Sequence, residues 1–150
     1  MTIDLTDTCL ENLQYELEVN NGELDWLFIK VEEQVLSASG DPSKLTTILT
    51  IFLDEIIPTY ADPNYEYQIY VELIGAPAKI WGAAKAKMIS EDTLQITHLP
   101  DMQNVDLKFL DEPNWEMDDI SKCKPRLSEG SIVQVKLQDT WLGVALIAKE

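Results

Sequence analysis

The spacing of apolar residues changes near Tyr65, and this change constrains the fold more than any other feature of the chain. Before Tyr65, apolar residues such as Leu24, Leu27, Phe28 and Val31 recur every three or four positions, which is typical of amphipathic helices. After Tyr65 they alternate with polar residues, as in a strand with one exposed face. Helices followed by strands, without alternation between the two, predict an α+β fold.

Three helices are predicted in the first part of the chain, over about residues 8–19, 23–38 and 42–57. Thr8 and Glu11 have the spacing of a capping box, which predicts the start of the first helix. The third helix follows a Gly-Asp-Pro sequence and carries a continuous apolar stripe, so we expect it to pack against a sheet or other helices.

The segment VNNGELDW, residues 19–26, allows a different structure. Asn-Gly is the strongest short signal for a two-residue hairpin turn, so residues 13–31 form a β-hairpin in the alternative interpretation. A two-residue turn at this dipeptide sets Glu18 opposite Asp25, and such a like-charge pair disfavours the register. The helical interpretation is preferred on this ground, and the hairpin is kept as the alternative.

Residues of about 65–148 are predicted to form a mostly antiparallel sheet or a small barrel, on which the helices pack. The small residues around Gly82 indicate a close approach of another element or a strongly bent strand. No internal repeat, low-complexity tract or linker divides the chain. We therefore expect one α+β domain over 1–150, with a helical half at 1–62 and a β-rich half at 63–150.

The negative charge is concentrated in the first half of the chain. The net charge is −16, and residues 1–78 contribute −13 of it, from 15 acidic residues and two lysines. Such a surface repels nucleic acids and anionic lipids and attracts cationic partners. We expect a basic protein surface as the partner, and neither a nucleic acid nor a membrane.

The compartment and the cysteine chemistry follow from absences in the sequence. No apolar run approaches the ~20 residues of a membrane span, and the first residues, MTIDLTDT, carry acids where a secretory signal has basic residues. These features predict a cytoplasmic protein. Cys9 and Cys123 provide neither a disulfide framework nor a zinc quartet.

Recognisable catalytic groups are scarce in this chain. His98 is the only histidine and Arg126 the only arginine, and neither a Gly-rich phosphate loop nor a G-x-S-x-G motif is present. The sequence predicts that the protein is not an enzyme and that it has no catalytic residues, metal site or cofactor.

Two acidic groups are the predicted partner-binding residues, because an aromatic anchor surrounded by charge is typical of binding hot spots. The group around Trp115 consists of Asp111, Glu112, Trp115, Glu116, Asp118 and Asp119. The second group consists of Glu16, Glu18, Glu23 and Asp25.

The preferred functional hypothesis is a non-enzymatic acidic interaction module that docks to a basic partner. Inhibitor, immunity factor, chaperone and nucleic-acid mimic are the classes that fit. The alternative is a small-molecule-binding or catalytic domain with a pocket between helices and sheet, walled by Trp26, Trp81 or Trp141 and using His98 or an acid. Self-association around Trp26 and Ile29, giving a homo-oligomer, is a third hypothesis.

Overall fold

The computed structural model describes residues 1–76, 78–111, 120 and 122–149. By internal contacts the chain divides into two compact units, Met1–Tyr65 and Glu66–Glu150. The described residues form eleven strands in two sheets and a single helical segment, so the fold is mostly β and the predicted α+β class is wrong. That residues 1–150 behave as one domain stays a prediction.

The first unit contains a four-stranded antiparallel sheet with the order β1-β4-β3-β2. Its strands are β1 (Thr2–Asp4), β2 (Tyr15–Asn20), β3 (Trp26–Glu32) and β4 (Val35–Gly40). The predicted helices over 8–19 and 23–38 are therefore wrong, and the hairpin that served as the alternative is present.

The register of this hairpin explains why the charge argument against it failed. Five residues, not two, connect β2 and β3, and Glu18 lies opposite Phe28 instead of Asp25. This pairing avoids the like-charge contact and sets Val19 opposite Leu27 on the buried face. The length of the turn thus decided the register, and the Asn-Gly dipeptide alone does not specify that length.

The Thr8–Glu11 spacing belongs to a series of tight turns and not to a helix start. The Thr8 hydroxyl donates to the carbonyl of Leu5 at 2.7 Å and accepts the N–H of Leu10 at 3.2 Å. The backbone N–H of Glu11 donates to the carbonyl of Thr8 at 3.1 Å. Threonine side chains stabilise such turns as readily as helix ends, which made the motif ambiguous.

The third predicted helix is present but lies three residues further along. It consists of α1 (Leu45–Thr50), a π-helical stretch (Ile51–Ile56) and α2 (Ile57–Tyr60). The chain continues in a helical conformation past Pro58, which stands in the first turn of α2.

One hydrophobic core lies between the helical segment and one face of the sheet in the first unit. Ile48, Phe52 and Ile56 face it from the helical segment, at a spacing of four residues. The sheet contributes every second residue of its central strands, namely Leu27, Ile29, Val31, Leu36 and Ala38. The opposite face of the sheet consequently remains exposed.

The described part of the second unit is built from seven strands. They are β5 (Glu66–Ile74), β6 (Ile80–Ser90), β7 (Thr93–His98), β8 (Leu107–Phe109), β9 (Lys124–Pro125), β10 (Ile132–Thr140) and β11 (Gly143–Lys149). Strands β5, β6, β7, β10 and β11 pair in succession, and β11 pairs back to β5 in parallel at Ile147 and Tyr70, which closes a barrel.

The barrel interior is filled by alternate residues of these strands, including Ile69, Val71, Leu94, Ile96 and Val133. In the described residues no helix is both long and apolar enough to cross a membrane.

Candidate functional site

The exposed face of the four-stranded sheet carries a group of residues that the register brings together. Residues directly opposite each other in an antiparallel pair share a face of the sheet. Here Glu18, Phe28 and Ser39 form one row across β2, β3 and β4, and Asn20 and Trp26 form the next. We call this surface the acidic outer face; its members are Thr2, Asp4, Glu16, Glu18, Asn20, Trp26, Phe28, Lys30, Glu32, Val35, Ser37 and Ser39.

Two aromatic residues of β3, Trp26 and Phe28, lie on this face, and we call them its aromatic centre. Trp26 is 36% exposed, and Phe28, two residues along the same strand, is half-buried. A shallow cleft near the β2 edge is lined by Glu18, Val19, Asn20, Trp26, Leu27 and Phe28. Aromatic surface of this kind, bordered by polar groups, is what a binding partner can desolvate.

The charge of the face is strongly one-sided. It holds four carboxylates, those of Asp4, Glu16, Glu18 and Glu32, against the single ammonium group of Lys30. An ion pair with Glu32 raises the pKa of Lys30, and the nearby charge of Glu16 adds to this effect. One lysine cannot neutralise all four carboxylates, so the net charge of the face is negative and the face attracts cations.

Asp41 contacts the backbone of Trp26 in the aromatic centre. It is the only buried polar or charged residue among those described. Its carboxylate accepts the Ser43 hydroxyl at 2.6 Å and the Trp26 backbone N–H at 3.4 Å. Hydrogen bonds from the Ser43 side chain and backbone keep the pKa of Asp41 below its ordinary value. The anion is thereby stabilised in the position that fixes the start of β3.

A second interaction fixes the turn between β2 and β3. Asp25 Oδ1 lies 2.6 Å from Nζ of Lys44, and Asp25 Oδ2 accepts a hydrogen bond from Asn21 at 2.9 Å. These contacts hold the pKa of Asp25 below its ordinary value, with the contact to Lys44 first in importance. Asp25 thus contributes to the structure of the turn and is not a free carboxylate.

The structure brings together the second predicted group of partner-binding residues. Glu16 and Glu18 are exposed on β2, and Glu23 and Asp25 lie in the adjoining turn. In the first group, Asp111 is exposed in the second unit. Glu112, Trp115, Glu116, Asp118 and Asp119 lie outside the described residues.

The residues of the alternative pocket hypothesis occupy different environments. Trp81 is buried against Tyr70, whereas Trp141 is 53% exposed in the turn between β10 and β11. His98 is exposed, and its Nδ1 lies 3.5 Å from Glu66 Oε1. Ile29, assigned to a self-association surface, is fully buried in the sheet core. No grouping of His, Cys, Asp and Glu in the described part of the chain could hold a metal ion.

Sequence reasoning missed Phe28, Lys30 and the two serines as members of the face, and it gave Trp26 a different role. The signal was available in the alternation of Leu27, Ile29 and Val31, which marks the buried side of a strand and leaves Trp26 and Phe28 on the other. The helical interpretation hid it, because a helix would have put Leu27 and Phe28 on the same face.

Comparison with known protein families gives a match to the part of the chain that carries this face. Residues 1–56 match the model of a family described as Immunity protein 53. This segment includes all four strands of the first sheet and most of the helical segment. Neither the curated proteins nor the solved structures include a significant match.

Proposed function

We propose that this chain is a non-enzymatic inhibitor of the immunity type, which binds a partner toxin through its acidic outer face and blocks the toxin's activity. The observation that carries the proposal is the position of the family match. The segment that resembles an immunity protein is the one that folds into the sheet with Glu16, Glu18, Trp26 and Phe28 on its exposed side.

The chemistry of the face favours a basic partner surface. Residues 1–65 contain 13 acidic residues and two lysines, and both lysines already pair with carboxylates, Lys30 with Glu32 and Lys44 with Asp25. Uncompensated carboxylates accelerate the approach of a cationic protein, while Trp26 and Phe28 supply apolar area that slows dissociation. The carboxylates that attract the cationic partner and the aromatic residues that hold it are thus neighbours on one sheet.

The family match favours the immunity class over the chaperone and nucleic-acid-mimic classes. Cytoplasmic location and a basic docking surface on the toxin belong to the same proposal. No described contact favours the pocket hypothesis: Trp81 is buried against Tyr70, and Trp141 and His98 are exposed.

The experiment is affinity capture from native lysate at low salt, followed by mass spectrometry and an inhibition assay on the recovered protein. We expect a cationic protein that is held at about 50 mM NaCl and released at about 500 mM, because the Debye length shortens over that range. Adding the purified chain should then abolish the toxic activity of that protein.

A matched pair of variants locates the contact. Glu16→Gln/Glu18→Gln removes two charges from the outer face, and Asp54→Asn/Glu55→Gln removes two from the exposed side of the helical segment in the same unit. We expect only the first pair to weaken capture severely. Equal weakening by both variants would mean that net charge alone is responsible, and binding that resists high salt would contradict the electrostatic proposal.

A further inference from the structure

Strand β2 is an edge strand of the first sheet. In the described residues the sheet order is β1-β4-β3-β2, so β2 pairs with β3 on one side only. An edge strand presents the backbone N–H and C=O groups of every second residue to whatever approaches it. Such an edge can accept one further strand from another protein.

The hairpin geometry identifies which backbone groups point outward. The N–H of Asn21 donates to the carbonyl of Asp25 at 2.8 Å, so this pair occupies a hydrogen-bonded position of the ladder. Because such positions alternate along an antiparallel pair, Val19, Leu17 and Tyr15 bond to β3. The groups of Glu16, Glu18 and Asn20 then point away from the sheet.

The side chains along this edge differ between the two faces of the sheet. Glu16 and Glu18 are exposed on the acidic outer face, whereas Tyr15, Leu17 and Val19 are half-buried on the core face. A strand added beside β2 would place alternate side chains next to the carboxylates and the intervening ones next to the half-buried apolar residues. The complementary strand therefore alternates basic and apolar residues.

Charge disfavours a second copy of this chain at the edge in the register centred on Leu17. Antiparallel pairing of two β2 strands about Leu17 would set Glu16 of one copy opposite Glu18 of the other, twice, on one face. Like charges directly opposite each other destabilise a strand pair. The charge pattern therefore selects a different, cationic protein.

We propose that β2 binds an extended segment of the partner as a fifth strand of the sheet, and that basic and apolar residues alternate in this segment. The inference rests on the proposed function, because it uses the same carboxylates. It adds a specific mode of binding, in which main-chain hydrogen bonds to residues 16, 18 and 20 supply affinity and the two glutamates select basic side chains.

The probe is a capped octapeptide of alternating lysine and valine, and the control is a peptide of the same composition with four lysines followed by four valines. We expect salt-sensitive binding of the alternating peptide to the full chain, and weaker binding of the control. Residue-resolved hydrogen exchange should slow about tenfold or more at the amides of Glu16, Glu18 and Asn20 when the peptide binds, since each gains a hydrogen bond.

Two variants at one position separate the backbone from the charge. Glu18→Ala and Glu18→Pro both remove the carboxylate, but only the proline removes the outward N–H, and proline is tolerated on the open side of an edge strand. We expect Glu18→Pro to bind the peptide about tenfold more weakly than Glu18→Ala. If the proline variant unfolds, hydrogen exchange in the unmodified chain decides the question.

The outcomes distinguish this inference from the proposed function. Salt-sensitive peptide binding without protection of residues 16, 18 and 20 would overturn strand addition and leave docking on the acidic outer face intact. Failure of the alternating peptide to bind would also overturn strand addition, while capture and inhibition of a cationic toxin would still support the proposed function. If the peptide binds and protects these residues but no cationic toxin is captured, the proposed function would be overturned and strand addition at β2 would be supported.

Discussion

Asp41 and Trp26 bond to each other in both directions. The backbone N–H of Asp41 donates to the carbonyl of Trp26 at 3.1 Å, and the Asp41 carboxylate accepts the N–H of Trp26 at 3.4 Å. The residue that follows β4 thereby holds the first residue of β3, and with it the aromatic centre of the acidic outer face. We therefore expect Asp41 to contribute both to the stability of the unit and to the position of Trp26.

This relationship predicts a pH-dependent effect of Asp41→Asn. Hydrogen bonds from Ser43 lower the pKa of Asp41 from 3.8, so the folded state favours the anion. A lowered pKa contributes stability that is complete above the unfolded-state value of 3.8 and is lost as the pH falls through the lower folded value. We expect the variant to be less stable than the wild type at neutral pH, and the difference to shrink below pH 3.8.

Urea denaturation across this pH range measures the effect. Asp54→Asn, an exposed carboxylate on the helical segment, is the control and should not show the same trend. A stability difference for Asp41→Asn that stays constant from neutral pH to below the folded pKa would show that the charge of the group is unimportant.

Gly22 is predicted to be required by the turn between β2 and β3. Its φ is +129°, a conformation that side-chain-bearing residues rarely adopt, and a Cβ there would meet nothing within 4 Å. Gly22→Ala should therefore lower the free energy of unfolding by about 1–3 kcal/mol through backbone strain alone. Thermal unfolding tests this, with Glu23→Ala in the same turn as control; equal stability of both variants would argue for a different turn conformation.

We predict that substitutions in the turn between β3 and β4 can raise the free energy of unfolding. Glu33 and Gln34 form a two-residue connection and have φ values of +51° and +64°, which favour Asn and Gly at these positions. Glu33→Asn/Gln34→Gly should raise the free energy of unfolding by roughly 1 kcal/mol. Chemical denaturation measures the gain, and Glu33→Gln alone controls for the lost charge; a gain from Glu33→Gln as large as that of the double variant would assign the effect to charge.

How much of the fold was predictable differs between the two units. In the second unit the alternation of apolar and polar residues in 66–74 and 132–140 predicts strands, and both segments are strands in the structure. In the first unit the residues at 33 and 34 carry no turn signal, so the segment around them has the composition of a helix. Burial of Ile29 and Val31 in the sheet core outweighed that local preference.

The candidate site was predictable in its charge and not in its geometry. Glu16 and Glu18 were predicted to bind a partner because of their charge, and this stays a prediction, whereas their position beside Phe28 depends on a five-residue turn that local sequence does not specify. A one-residue change of register would have moved Phe28 to the core and Leu27 to the surface.

Gly82 is predicted to be a position in the barrel at which no larger side chain fits without rearrangement. A Cβ there would lie 2.8 Å from Cγ2 of Val105 and 3.1 Å from the ring of Pro100, and contacts that short force neighbouring atoms to move. Gly82→Ala should destabilise the protein by about 1–3 kcal/mol, the usual cost of overpacking. This accounts for the glycine at position 82, where the small residues of β6 were expected to mark a close approach or a strong bend.

A compensating substitution tests the cause. Val105→Ala removes the methyl group that Gly82→Ala would strike, so the double variant should be more stable than the sum of the two single effects predicts. Denaturant unfolding of the four proteins gives the coupling free energy. Strict additivity would show that contact with Cγ2 of Val105 is not the cause, and would leave the Pro100 ring or the backbone as the source of the destabilisation.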